Sequence, residues 1–333
     1  MRAALNHQET DVVPYHADFT TAEGERLAAY TGVPDYAQQM GAHLCSMQYS
    51  GWPACIDPVR ELFRDDFGVC WDRSGVDKDI GVIKRPVIPE PDLSLWREPA
   101  LDEARLRREF EETLAYRGDR FTFAGIGFSM FERAWSLCGM EDALVYMLLE
   151  PDFMHGLLDA ICDYNLKIIG IAAEYDFDGF YFGDDWGQQK GLIMGPQNWR
   201  TFIKPRMARM YAAVKARGWR VLQHSCGDIA ELFPDLIDIG LDCYQTFQPE
   251  IYNIEAVKRE YGRDLTFWGG ISTQRLLPYA APDEVRRQTA RIMRIMRSGG
   301  GYIAAPTHAV PPDVPPENIT AMFDVFVNQD RYL

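Results

Sequence analysis

In the stretch Val221-Leu222-Gln223-His224-Ser225-Cys226-Gly227-Asp228, an imidazole and a thiol stand two residues apart, where an apolar run meets a glycine. If the run is a strand, residues i and i+2 point to the same side, so His224 and Cys226 face one way at its end. Imidazole nitrogen and thiolate sulfur are the donors that an ion of the zinc type favours. A catalytic zinc takes three protein ligands and keeps a fourth position open, so a third donor has to come from elsewhere in the chain. His308, in Ala305-Pro306-Thr307-His308 directly after a β-favouring run, is the first candidate. Asp184, Asp185 and Glu250 also fall at predicted strand ends and could serve instead. The plain alternative is that His224 and Cys226 are two buried neighbours with no ion between them.

A second constellation is Tyr181-Phe182-Gly183-Asp184-Asp185-Trp186-Gly187. Two adjacent carboxylates after a strand can hold a substrate, ligate a metal or exchange a proton, since burial beside an aromatic raises a carboxyl pKa. One of them can equally cap the next turn or helix. We expect one of each, with Asp185 on the pocket side. Asp185 and Asp184 are the catalytic candidates, with Trp186 and Tyr181 as neighbouring substrate contacts. The aromatic-rich stretch Phe128-Ser129-Met130-Phe131-Glu132-Arg133-Ala134-Trp135 brings Phe131 and one acid, Glu132, to a possible pocket wall, although such spacing is more often core. Gln248, and Trp268 before Gly269-Gly270, complete the candidate substrate contacts. His7, His16, His43 and His155 lack comparable surroundings and read as structural or surface residues, His16 being a marginal pocket candidate.

The elements that must position these residues are short β-favouring runs separated by helical segments. Eight runs are predicted, at 13–19, 43–48, 121–127, 179–184, 220–224, 242–246, 265–269 and 302–305. Alternation of strand and helix over this length argues for a parallel sheet, and eight strands argue for an α/β fold of the closed (β/α)8 TIM barrel type spanning 1–333. Active sites of such barrels gather at the C-terminal strand ends, where HxC and the paired acids fall. No GxGxxG turn follows an early strand, which disfavours the doubly wound dinucleotide fold. Helices are predicted over 282–297 and 318–328, the second preceded by a proline-rich loop at 311–316. Residues of about 60–100 are charge-rich and proline-rich, with one extended piece at 82–85. They read as an insertion covering one end of the barrel.

Composition excludes several function classes. The 333-residue chain carries 34 Lys and Arg against 49 Asp and Glu, a formal charge of −15 that repels nucleic acid and anionic membranes. No apolar stretch approaches the roughly 20 residues of a bilayer-spanning helix, and the beginning MRAALNHQETD has no apolar leader region. Seven cysteines without framework spacing or CxxC fit a reducing compartment, so a cytoplasmic protein is expected.

The order FGDDWGQQKGLIMGPQNWRTFIKP at 182–205, HSCGD at 224–228 and GGYIAAPTHAVPPDVPPEN at 300–318 resembles the uroporphyrinogen decarboxylase superfamily, and most closely its branch of cobalamin-dependent zinc methyltransferases. The likeness covers nearly the whole chain and is most specific in its second half. It implies a barrel, with zinc held by His224, Cys226 and His308, and a methyl group passed between a small donor or acceptor and a corrinoid on a separate protein. Thiol methyltransferases of this branch usually carry Cys at the third place, where this chain has His308. True decarboxylases carry an arginine-rich segment of the type RQAGRY, whereas here the chain reads Thr20-Thr21-Ala22-Glu23-Gly24-Glu25-Arg26 after the first strand run. The expectation is therefore a zinc- and corrinoid-dependent methyltransferase whose partner docks near 311–316 and 60–100, with a homodimer possible. Its rivals are a metal-free decarboxylase-like lyase and a non-catalytic protein that binds a corrinoid or metabolite.

Overall fold

The computed structural model describes residues 1–76 and 78–333. Its main sheet has seven parallel strands: β1 (Leu44–Tyr49), β2 (Phe121–Ile126), β3 (Gly179–Gly183), β4 (Arg220–His224), β5 (Cys243–Phe247), β6 (Thr266–Ile271) and β7 (Tyr302–Pro306), paired in that order. Every residue of β2, β3, β5, β6 and β7 is buried. Strands covered on both faces lose their polar alternation and read as continuous apolar runs. One face packs on helices in the large core. The other curls around a smaller cluster that includes Phe123, Tyr181, Leu222, Cys243, Trp268 and Ile303, with Leu5 beside them. On β4 and β5, Leu222 and Cys243 belong to this inner set, so the two-residue repeat puts His224 and Gln245 directly above them.

The architecture is α/β and TIM-barrel-like, but its sheet is not a closed eight-stranded barrel. The predicted first strand, 13–19, survives only as two isolated bridges, Tyr15 with Ala304 and Phe19 with Val310. Around Tyr15 the chain does touch both sides: His16 N donates to Ala304 O at 3.0 Å, and His43 N donates to Tyr15 O at 3.0 Å. Pro14 has no N–H to offer a ladder. Beyond residue 16 the segment turns to Val310, whose carbonyl accepts from Thr20 N at 3.1 Å. A cleft lined by His16, Asp18, Thr20, Leu27 and Leu44 follows this seam.

Where the sequence predicts one extended piece at 82–85, the chain forms four short antiparallel strands: Ala54–Asp57, Leu62–Arg64, Cys70–Asp72 and Val82–Ile83. Strands of two to four residues carry too few alternations to register as a pattern. This small sheet is pinned to the helix Phe131–Cys138 by an ion pair of Arg133 Nη1 with Asp65 Oδ2 at 2.9 Å, both side chains at most 2% exposed. Asp65 also accepts from Val69 N at 2.9 Å and Trp71 Nε1 at 3.1 Å, and the guanidinium lies 3.8 Å from the Phe67 ring centre. These contacts offset the cost of enclosing the two charges, although Arg133 Nε is buried with no hydrogen-bond partner among the described residues.

The proline loop before the last long helix (Pro316–Val327) is held from the helix Thr21–Thr31. Arg26 donates to Pro312 O through Nη1 and to Val314 O at 2.6 Å through Nη2. Beneath it the fully buried Glu23 carboxylate approaches Arg26 Nη1 at 3.4 Å, and neither of its oxygens has a hydrogen-bond partner among the described residues.

Candidate metal centre

His224 ends β4, Cys226 is the second residue of the loop after it, and His308 follows β7. One ligand atom from each lies within 4.8 Å of the others. The structure thus brings together the pair and the first-choice third donor. Cys226 Sγ is 3.5 Å from His224 Nε2. That matches the ligand-to-ligand edge of a tetrahedral zinc, about 3.5 Å for bonds near 2.3 Å to sulfur and 2.0–2.1 Å to nitrogen. Nδ1 of His224 is engaged by Gln245 Oε1, across the β4–β5 register, which leaves Nε2 turned toward Cys226 and the mouth. The donor chemistry and its support therefore fit a zinc-type ion.

The loops that carry these residues interlock through two glycines. Gly227 has φ +78°, and a Cβ there would sit 2.2 Å from the Gly187 carbonyl carbon. A Cβ on Gly187 would in turn sit 2.7 Å from Cys226 O. Only glycine permits the left-handed turn and the backbone approach together. Asp228 N donates to Gln188 O at 2.8 Å, Trp186 N to Ser225 Oγ at 2.9 Å, and Cys226 N to Asp185 Oδ1 at 2.7 Å. From behind, Tyr252 donates to Gly227 O at 2.9 Å, and Gln248 Oε1 accepts from Gly227 N at 3.2 Å. Gln248 is thus placed against the metal loop's backbone.

The two adjacent acids part company. Asp184 is fully buried, and its oxygens accept from the backbone N–H of Met130, Phe131 and Glu132 at 2.8–3.2 Å and from Trp186 Nε1, capping the helix Phe131–Cys138. Burial nevertheless lifts its carboxyl to about 6 against those donors. Asp185 turns to the mouth, its Oδ1 3.3 Å from His224 Nε2. Burial works to raise its carboxyl too, but the hydrogen bond and charge of His224 and the Cys226 amide outweigh it and keep it below the ordinary value. Glu132 completes the acidic side of the mouth. Burial first, then the charges of Asp185 and Asp184, push its carboxyl well up.

The thiol of Cys226 is driven up by burial and down by His224 and His308, and the net result is about 7. The His224 imidazole is held well above its usual value, despite burial, by Tyr181, Cys226 and Asp185. An acidified thiol beside a basic imidazole is a pair ready to exchange a proton for a metal.

Tyr181 and Trp268 lie beneath the triad, their ring centres 6.3 Å apart, with Tyr181 OH 3.4 Å from Gln245 Oε1. Phe131 and Trp186 are fully buried, Trp186 lying edge-on to Trp199 at 5.3 Å. Glu250 is engaged by Ser272 Oγ and stands outside the triad. His7, His43 and His155 bond Gly262 O, Tyr15 N and Arg206, respectively. His16 pairs with Asp18 at 3.1 Å and meets Trp268 edge-on. Gln245 is the one site residue that sequence reasoning missed; a lone amide in the apolar strand CYQTF, level with His224, was its signal.

Residues 74–328 match the family model of uroporphyrinogen decarboxylase (URO-D). A methylated-thiol–coenzyme M methyltransferase of Methanosarcina mazei is 21% identical over 159 residues, which is 48% of this chain and 41% of that protein. A uroporphyrinogen decarboxylase of Geobacillus thermodenitrificans is 28% identical over 181 residues, 52% of this chain and 48% of that protein. The chain thus spans less than half the length of these relatives. A solved methyltransferase from Methanosarcina mazei superposes with a TM-score of 0.74 at 18% identity, covering 99% of this chain and 97% of that one, which shows a shared fold. No helix among the described residues is long and apolar enough to cross a membrane.

Proposed function

Because the chain belongs to the uroporphyrinogen decarboxylase family, near its methyltransferase branch, we propose that it is a zinc-dependent methyltransferase moving a methyl group between a small donor or acceptor and a corrinoid on a separate protein. The observation that carries this reading is the donor set of His224, Cys226 and His308 gathered within 4.8 Å at the strand ends. Zinc held by two neutral imidazoles and one thiolate keeps a formal charge of +1 and would supply a Lewis acid suited to an oxygen or nitrogen on the methyl donor.

The chain's own residues divide the remaining work. Gln245 orients the His224 ring through Nδ1, and Asp185 fixes Cys226 through its amide. Asp185, kept ionised, faces the mouth and orients a substrate donor group. Asp184 is committed to its helix cap, so the proton for a departing oxygen falls to Glu132, whose carboxyl is pushed well up by burial and by Asp185 and Asp184. Tyr181 and Trp268 give the methyl group an apolar floor.

Metal analysis tests the reading directly. Protein expressed with ample zinc should hold one zinc per chain, and Cys226→Ser or His308→Ala should lose most of it while remaining folded. Wild-type protein without stoichiometric metal would sink the mechanism in favour of a metal-free lyase or a binding protein. With cob(I)alamin as the methyl acceptor, ether or amine donors should be demethylated faster than thiols are alkylated by methylcobalamin; the reverse order would remove the Lewis-acid role assigned to a zinc held by two imidazoles and one thiolate.

A further inference from the structure

The helix Thr21–Thr31 begins with the capping-box sequence Thr20-Thr21-Ala22-Glu23, and only half of the box is closed. Thr20 Oγ1 accepts from Glu23 N at 3.3 Å. The reciprocal bond, from Thr20 N to the Glu23 carboxyl, is missing. Thr20 N donates instead to Val310 O at 3.1 Å, and Thr20 Oγ1 donates to the same carbonyl at 3.3 Å. Arg26, which approaches Glu23 Oε2 at 3.4 Å, is likewise turned to the proline loop, where it bonds Pro312 O and Val314 O. The donors that would serve a Glu23 carboxylate are thus the ones that hold the loop.

The charged groups that face Glu23 are Arg26 from its own helix and Asp313 from the loop. Asp79 stands at the same helix end and accepts from Thr21 Oγ1 at 2.7 Å. A neutral carboxyl can remain in this enclosure, whereas a carboxylate without donors cannot be held there cheaply. We propose that Glu23 is the catch of a latch on the segment 310–316: when it gives its proton to solvent, the carboxylate takes Thr20 N and Arg26, and the loop is released from the helix. The released state has its capping box complete and its anion at a helix N-terminus, both favourable. Burial, opposed by Arg26 and assisted by Asp313, raises the Glu23 carboxyl to about 7 while the loop is closed, so the catch works in the neutral range. His308 stands just before Val310, and release therefore loosens the segment that carries it at the barrel mouth. None of the exchanging donors belongs to the metal triad, so the latch does not rest on the metal reading.

Hydrogen exchange at the Val310 and Val314 amides tests the proposal. Both residues are fully buried, and their N–H groups donate to Asp18 O at 2.8 Å and Pro311 O at 3.2 Å. Corrected for the intrinsic pH dependence of exchange, their opening constant should rise by about tenfold or more from pH 5 to pH 8, levelling off above about pH 7. Low urea should leave it unchanged, because a local opening exposes little surface. Glu23→Gln should hold the loop closed, with an opening constant flat across this range. Arg26→Met should raise it already at pH 5, by about tenfold, the usual worth of hydrogen bonds from a charged donor. The proposal is overturned if the wild-type constant is flat with pH, if Glu23→Gln shows the same rise, or if these amides exchange only with the urea dependence of the whole molecule.

Discussion

His224 is held in one orientation by a glutamine that has no reason to be in an apolar strand except to hold it. Gln245 Oε1 takes Nδ1, and Tyr181 OH reaches the same oxygen. Groups of this kind fix the tautomer of a metal-binding imidazole, and their loss typically costs about 10–100-fold in metal affinity. Gln245→Leu should therefore weaken zinc by about that factor in chelator competition, with secondary structure retained. An affinity equal to wild type would mean the amide serves only to fill space. The gathering of the three candidate donors was legible because HxC at a strand end is a local pattern and His308 follows directly on a strand run. That one of the two acids would cap and Asp185 would face the mouth was legible too, but not which helix Asp184 would cap. Past the end of a strand the two-residue repeat no longer dictates direction, and it is the helix N-terminus at Met130–Glu132, distant in sequence, that draws Asp184 inward.

At the scale of elements, the N-terminal helix and the proline loop are joined over a buried carboxyl. Burial, the dominant influence on Glu23, raises it from 4.5 to about 7 against the pull of Arg26, with Asp313 adding to the rise. The native state then keeps a proton that the unfolded chain gives up above about pH 4.5. Stability falls as pH rises through the interval from the unfolded to the folded value, and the full penalty is present above it. Glu23→Gln should match wild type in urea unfolding near pH 4 and exceed it near pH 8 by about 3 kcal/mol. Equal stabilities at both pH values would show that the carboxyl is not buried with its proton. The insertion makes the opposite demand: Arg133→Met leaves Asp65 charged and enclosed, and should cost about 3–5 kcal/mol in the same measurement. A loss under about 1 kcal/mol would show water reaching that carboxylate.

For the molecule as a whole, seven of the eight predicted strands stand within two residues of their expected bounds, because buried parallel strands are apolar from end to end and are punctuated by glycine and helix caps. The remaining run, 13–19, is broken by Pro14 and carries His16 and Asp18, and it lacks the same partners. Whether 13–19 pairs regularly with β1 and β7 depends on backbone direction at Pro14 and on the pull of Val310, neither of which a local pattern carries. The small antiparallel sheet was hidden for the related reason that its strands are too short to repeat.

The open seam would give the proposed metal centre a mechanical meaning. β7 is the last regular strand of the sheet, stitched on its far side by isolated bridges, and His308 stands just beyond it while His224 and Cys226 stand three strands away at the end of β4. An ion gripping all three is a strut thrown across the opening, bracing the loosest edge of the sheet against its middle. Amide exchange in β7 and at residues 14–20 should therefore slow on zinc loading far more than in β2 or β3, and His308→Ala should erase the difference. If the seam exchanges at the same rate with and without zinc, the ion is a passenger in a frame that was already rigid.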